Sequence, residues 1–111
     1  MPKPSDPLLL DHGPAWRNSI ALAPLTNRQS HDDGALSDDE IAWLTARAVG
    51  GFGLVMTAAA FVAPAGHVWQ GQLGIAHDDH LPGLRRLAQN LSEAGACSYV
   101  QLHHGGRRAE R

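Results

Sequence analysis

Three short apolar runs alternate with two amphipathic segments along this chain, and this alternation limits the folds that it can adopt. The apolar runs lie at residues 19–23, 52–57 and 96–102, and the segments between them have helical periodicity. The connections are much longer than hairpin turns, which favours crossovers between parallel strands. The order strand, helix, strand, helix, strand therefore predicts right-handed parallel βαβ units in an α/β fold.

Each amphipathic segment carries signals for its first and last turns. The first begins at residues 37–40, a capping box in which the Ser37 hydroxyl accepts a first-turn amide and Glu40 reaches back to the amide of Ser37. A pair of glycines then ends it. The second segment, residues 81–93, has a proline in its first turn and Gly95 as its stop. Both patterns predict helices.

The middle apolar run predicts a strand that is buried on both faces. Residues 52–57 lack polar alternation, which is typical of parallel sheets covered by helices. We expect this strand to end at Thr57, because a small-residue stretch, 58–60, and a long loop up to residue 80 follow it. Pro24 is expected to end the first strand, since proline cannot donate to a sheet ladder.

The length of the chain limits how much of such a fold it can form. A (β/α)8 barrel typically takes about 250 residues, whereas this chain has 111. Residues 18–111 therefore account for three parallel strands and two helices, either of a small open sheet or of the start of a barrel. A Pro-rich segment, residues 1–17, precedes them and is expected to be irregular. Because both outer strands keep an unpaired edge, we expect the isolated chain to form oligomers, to aggregate or to stay molten.

Composition argues against several classes of partner and location. No window approaches the roughly 20 apolar residues of a membrane span, and the Pro-rich start lacks the apolar stretch of a signal peptide. We expect a cytoplasmic protein with no membrane partner. Cys97 is the only cysteine, so no internal disulfide can form. A formal net charge of −2 with scattered basic residues offers no footprint for nucleic acid.

Seven histidines raise the question of a metal site. His77 and His80 lie three residues apart, and His103 and His104 are adjacent. Adjacent histidines on a strand point to opposite faces, and no cysteine or carboxylate pair with ligand spacing supports a zinc site. We expect no metal.

Polar groups collect where the third strand ends. The strand runs into a short segment, residues 101–107, that holds an amide, two imidazoles, two glycines and a guanidinium group. Side chains at the carboxyl ends of parallel strands converge on one crevice, which is where α/β proteins bind ligands. The sequence therefore predicts part of a ligand site at this edge of the sheet.

Four segments carry a family pattern in a fixed order and at a fixed spacing. They are residues 18–26, 53–64, 71–84 and 101–107. Together they resemble the amino-terminal third of the old yellow enzyme family, which comprises FMN-dependent NAD(P)H oxidoreductases. The resemblance implies the amino-terminal part of a (β/α)8 TIM barrel, with FMN lying across the carboxyl ends of its strands.

The resemblance also implies that six residues bind FMN. They are Ala23, Pro24, Leu25, Thr26, Ala59 and Gln101. Thr26 matches the position where a Thr or Cys hydrogen-bonds the flavin near its C4 carbonyl and tunes its redox potential. Ala59 matches a small residue that lets the backbone approach the ring. Gln101 matches the glutamine on the pyrimidine edge, where an amide offers both a donor and an acceptor.

The chain departs from the family at several positions. Ala58 stands where Glu is common, His67 where Arg is common, and His103 where an aromatic or small residue is common. The substrate-anchoring pair, the proton-donating Tyr and the phosphate-binding loops of the family match nothing up to residue 111. We therefore expect no catalytic residue within this chain.

Two functions from different classes remain open. The first is part of an oxidoreductase in which NAD(P)H reduces FMN and the flavin passes hydride to an electron-poor alkene such as an enone. The second is a non-catalytic fragment that acts only as an oligomerising or partner-docking structural module. Without the family resemblance, Thr26 and Gln101 could also be ordinary strand-end residues that satisfy backbone groups.

Overall fold

The computed structural model describes residues 1–109, and these form one three-stranded parallel sheet with two helices. The sheet order is β1-β2-β3, and the helices lie between consecutive strands in the chain. The elements are β1 Ala21–Leu22, α1 Asp38–Val49, β2 Leu54–Phe61, α2 Leu81–Glu93 and β3 Cys97–His103. The predicted parallel βαβαβ order is confirmed.

Helix α1 begins where predicted, but only half of the predicted capping box forms. The Ser37 Oγ accepts a hydrogen bond from the Glu40 amide at 3.1 Å. The prediction that Glu40 reaches back to Ser37 is wrong, because its fully buried carboxylate accepts from the Ser30 hydroxyl at 2.5 Å instead. The end of α1 is confirmed, and Gly51 follows it at φ +118°.

Strand β2 is longer than the sequence pattern predicted. The predicted end at Thr57 is wrong, since the strand continues through the small-residue stretch 58–60 to Phe61. Alanine is a weak strand former, so the local pattern did not predict this extension. Pairing with β3 determines it, through Ala59–Gln101, Ala60–Leu102 and Phe61–His103.

The outer strands differ from their predicted bounds by small amounts. Only Ala21 and Leu22 of the predicted run 19–23 pair with β2, opposite Leu54 and Val55. Pro24 follows this pairing, as its missing amide requires. Strand β3 is displaced by one residue from the predicted 96–102 and includes His103.

The hydrophobic core lies between the two helices and β2. Its buried members come from α1, α2, β2 and the neighbouring loops, and the helices contribute them at helical spacing. They include Ile41, Leu44, Ala48, Val55, Ala60, Leu73, Leu87 and Leu91. Within residues 1–109, no helix is long and apolar enough to cross a lipid bilayer.

The irregular segment 1–17 is joined to both helices by Arg17. Its guanidinium donates to the carbonyl of Ala48 in the last turn of α1 and to that of Phe52 at 2.8 Å. It also donates to the carbonyl of Ala94, the C-cap of α2, at 2.7 Å. One side chain thus satisfies carbonyl groups at the ends of both helices, where intrahelical donors are missing.

Candidate functional site

The six predicted FMN-binding residues lie on or after the carboxyl halves of the three strands. Residues 23–26 follow β1, Ala59 lies in the second half of β2, and Gln101 lies near the end of β3. Because the strands are parallel, these positions share one edge of the sheet. The structure therefore gathers the predicted residues at the edge where α/β proteins bind ligands.

Ala59 and Gln101 are brought directly together. They are register partners in the β2–β3 ladder, although they lie 42 positions apart in the chain. Ala59 is half-buried and Gln101 is exposed. Within residues 1–109 the Gln101 side chain makes no hydrogen bond, so its amide is available to a ligand as donor and acceptor.

The segment after β1, residues 23–26, exposes both apolar and polar side chains to solvent. Leu25 is 49% exposed, and the Thr26 side chain is also exposed. No hydrogen bond in the described part of the chain joins Thr26 to Ala59 or Gln101. The strand order places this segment beside β2, and the structure brings it to the same edge without direct polar contact.

A buried glutamine that the sequence reasoning missed ties the long loop to this edge. The Gln72 Oε1 accepts from the Val68 amide at 2.9 Å. Its Nε2 donates to the Ala59 carbonyl at 3.3 Å and to His103 Nδ1 at 3.2 Å. Gln72 is only 1% exposed. Its position between Gly71 and a leucine, in a segment of the family pattern, was the one available signal.

His80 fixes the end of the same loop. Its Nδ1 accepts from the Ala76 amide at 3.0 Å, so the ring hydrogen lies on Nε2, which donates to the Asp33 carbonyl at 2.7 Å. His77 stacks on it at 4.1 Å between ring centroids. Among residues 1–109, no three His, Cys, Asp or Glu side chains gather closely enough to hold a metal ion.

A buried acid lies behind the segment that follows β1. Burial raises the pKa of the Glu40 carboxyl above its ordinary value, and the Ser30 hydroxyl and the nearby Asn27 amide oppose the rise. The Oε1 atom of Glu40 has no hydrogen-bond partner among the described residues. The effect of burial is larger than that of the two polar neighbours, so the pKa of this carboxyl lies above its ordinary value.

Parallel strands joined by helices, with convergent polar groups at their carboxyl edge, define part of an α/β protein whose ligand site lies at that edge. A family model covers residues 7–111 of the chain. The chain belongs to the NADH:flavin oxidoreductase / NADH oxidase family. The resemblance to old yellow enzymes is thereby confirmed.

Individual relatives agree with this assignment. The chain is 40% identical over 101 residues to a probable NADH-dependent flavin oxidoreductase, YqiG of Bacillus subtilis strain 168, and the match covers 91% of this chain and 27% of that protein. A 2-naphthoyl-CoA reductase complex superposes with a TM-score of 0.89 and 31% identity, covering 96% of this chain and 16% of that one. An old yellow enzyme homologue from Zymomonas mobilis gives a TM-score of 0.84 and 25% identity, covering 93% and 28%.

The chain matches only part of the length of each of these proteins. It spans 27% and 28% of the length of two Bacillus subtilis relatives and 10% of a Vibrio harveyi NADH:acrylate oxidoreductase. Its three strands and two helices correspond to part of the (β/α)8 TIM barrel of its structural neighbours. The predicted fold class, an incomplete barrel, is confirmed.

Proposed function

We propose that this chain supplies the FMN-binding amino-terminal part of an NAD(P)H oxidoreductase of the old yellow enzyme type. The pairing of Ala59 with Gln101 at the carboxyl edge carries the proposal, because it joins a small residue and a free amide in one place. Family membership supports it. The names of relatives, which include NADH-dependent and NADPH-dependent enzymes, support NAD(P)H as the electron donor.

The residues at this edge fit the isoalloxazine ring of FMN. The ring is flat, and its pyrimidine side alternates carbonyl and N–H groups, so it needs small residues against its face and short polar groups along its side. Ala23 and Ala59 are small, and Ala23 is exposed while Ala59 is half-buried. The exposed Thr26 hydroxyl and Gln101 amide can each donate to a carbonyl, and Gln101 can also accept from an N–H.

When bound, FMN supplies hydride transfer from NAD(P)H to a small electron-poor alkene, such as an enone. This chain contributes binding and orientation. Thr26 is proposed to donate toward the C4 carbonyl, where charge grows as the ring is reduced, and Gln101 to hold the pyrimidine edge. Residues 23–25 line the ring. A cytoplasmic location and the alkene substrate stay predictions.

FMN titration of the purified chain tests the proposal, followed by flavin fluorescence and the visible absorption band. We expect saturable binding that weakens about tenfold in Gln101→Ala and in Thr26→Ala, the loss typical of one or two hydrogen bonds. Gln70→Ala is the matched control, because Gln70 is exposed and bonds only Asp32 at 3.1 Å. A folded wild-type chain without FMN binding would contradict the proposal.

One observation favours a second candidate, a structural module that oligomerises or docks to a partner. Leu102, in the outer strand β3, is 66% exposed, and Leu25 after β1 is also largely exposed. These apolar groups, and the outer edges of β1 and β3 that lack a strand partner within residues 1–109, suit association with more barrel-forming chain. Association of a folded chain that binds no FMN would favour this second function.

A further inference from the structure

Strand β2 carries a bulge directly before Ala59. The register runs from Met56–Tyr99 to Ala59–Gln101, so β2 uses one more residue than β3 over this stretch. Thr57 and Ala58 thus lie together opposite the single residue Val100. Bulges are rare between parallel strands, and they are enriched beside active sites and at barrel rims, where they redirect a side chain.

The side chain of Thr57 completes the hydrogen bonding at this bulge. Its Oγ1 accepts from the Gln101 amide at 3.3 Å and donates to the Ala58 carbonyl at 2.8 Å. Thr57 is 1% exposed, so water does not compete for these contacts. In a regular ladder a backbone carbonyl accepts such an amide. Here the hydroxyl accepts it.

The bulge decides which alanine stands beside Gln101. Without the extra residue, the register from Met56 would pair Ala58 with Gln101, and every later side chain of β2 would face the opposite side. With it, Ala58 is buried, and the half-buried Ala59 accompanies the exposed Gln101. The two proposed FMN contacts therefore depend on one local irregularity.

We propose that Thr57 is a positioning residue of the flavin site, acting through Gln101 and Ala59. Its hydroxyl holds the Gln101 backbone against the bulge and keeps Ala59 as its neighbour. The effect of Thr57 on FMN binding rests on the proposed function. The bulge itself can be tested in the chain without flavin.

The first experiment measures backbone hydrogen exchange in the flavin-free chain. Thr57→Val keeps the side-chain shape and removes both hydrogen bonds, so the Gln101 amide should exchange at least about tenfold faster, while the core of α1 is unchanged. Thr45→Val is the matched control, since the Thr45 hydroxyl in α1 has no partner among the described residues. Unchanged exchange at Gln101 in Thr57→Val would overturn the inference.

A second pair of variants separates the hydroxyl from packing. Thr57→Ser and Thr57→Ala both remove the γ-methyl group, and they differ only in the hydroxyl. We expect the serine variant to keep Gln101 protected and the alanine variant to lose protection. Equal protection in both variants would overturn the inference, even if Thr57→Val does not fold.

The flavin arm uses a double-mutant cycle on FMN affinity, together with the position of the visible flavin band. Thr57→Val should weaken FMN binding about tenfold and shift the band, and Thr57→Ser should restore both. In the Gln101→Ala background, Thr57→Val should cause less than about a twofold further loss. Full additivity would assign Thr57 to general stability and contradict a positioning role.

The outcomes separate this inference from the function on which it rests. If the wild-type chain binds no FMN, the proposed function fails, and hydrogen exchange still decides the role of Thr57 at the bulge. If the wild type binds FMN and Thr57→Val binds equally well, the proposed function stands and the inference fails.

Discussion

Glu40 is an acid that α1 places out of reach of water. Burial raises its pKa, because the charged form loses solvation that the Ser30 hydroxyl replaces only in part. The folded chain therefore keeps this proton at a pH where the unfolded chain releases it. The free energy of unfolding contributed by this group falls as the pH rises above its ordinary value of 4.5.

Replacing this acid should remove that pH dependence. We expect the apparent Tm of the wild type to decline from about pH 4.5 toward neutrality more steeply than that of Glu40→Gln, which cannot ionise. Circular dichroism melts across this range measure the difference. Glu93→Gln is the control, since Glu93 is exposed on α2 and bonds only Gln89. Parallel curves for wild type and Glu40→Gln would contradict the prediction.

The buried Gln72 side chain stabilises the fold through hydrogen bonds to backbone groups. Gln72→Leu keeps similar size but leaves the Val68 amide and the Ala59 carbonyl without this partner, so we expect a loss of about 2 kcal/mol of unfolding free energy. Gln70→Leu, on the exposed side of the same loop, should change it by less than about 0.5 kcal/mol. Urea unfolding measures both, and equal losses would show that the Gln72 contacts are not stabilising.

At the scale of elements, the Arg17 side chain, which belongs to neither helix, caps the carboxyl ends of both α1 and α2. Arg17→Met keeps an unbranched stem and removes the donors to the carbonyls of Ala48 and Ala94. We expect a loss of about 1 kcal/mol, limited because Arg17 is partly exposed. Arg85→Met, an exposed position on α2, is the control. Thermal unfolding checks the difference, and identical midpoints would contradict the capping role.

Element order could be predicted from the sequence, because caps, glycine stops and apolar runs are local signals. The bounds of α2 matched, whereas the extension of β2 to Phe61 depends on pairing with residues about 40 positions later, which no local pattern contains. The same limit applies to Glu40, whose partner lies in a preceding loop, and to Arg17. At the site, the proposed residues come from the family pattern and stay predictions, whereas the bulge at Thr57 and the Gln72 contacts arise only from tertiary register.

At the scale of the whole molecule, the outer edges of β1 and β3 have no strand partner within residues 1–109. We expect the purified chain to elute as species larger than its monomer mass of 11.8 kDa. Leu102→Lys, which places a charge on the outer strand, should shift the population toward monomer, whereas Leu9→Lys in the irregular segment should not. Light scattering after size exclusion measures this. A sharp, two-state unfolding transition of a wild-type monomer would contradict the expectation.

The parallel pairing of the strands also affects how fast the chain folds. Each strand pair of the sheet joins residues about 30 to 40 positions apart, so the ladders form only between segments that are distant in the chain. A ribosome must therefore deliver α2 and β3 before β2 can complete its longest ladder. We expect slow folding, during which the apolar strands stay accessible to chaperones.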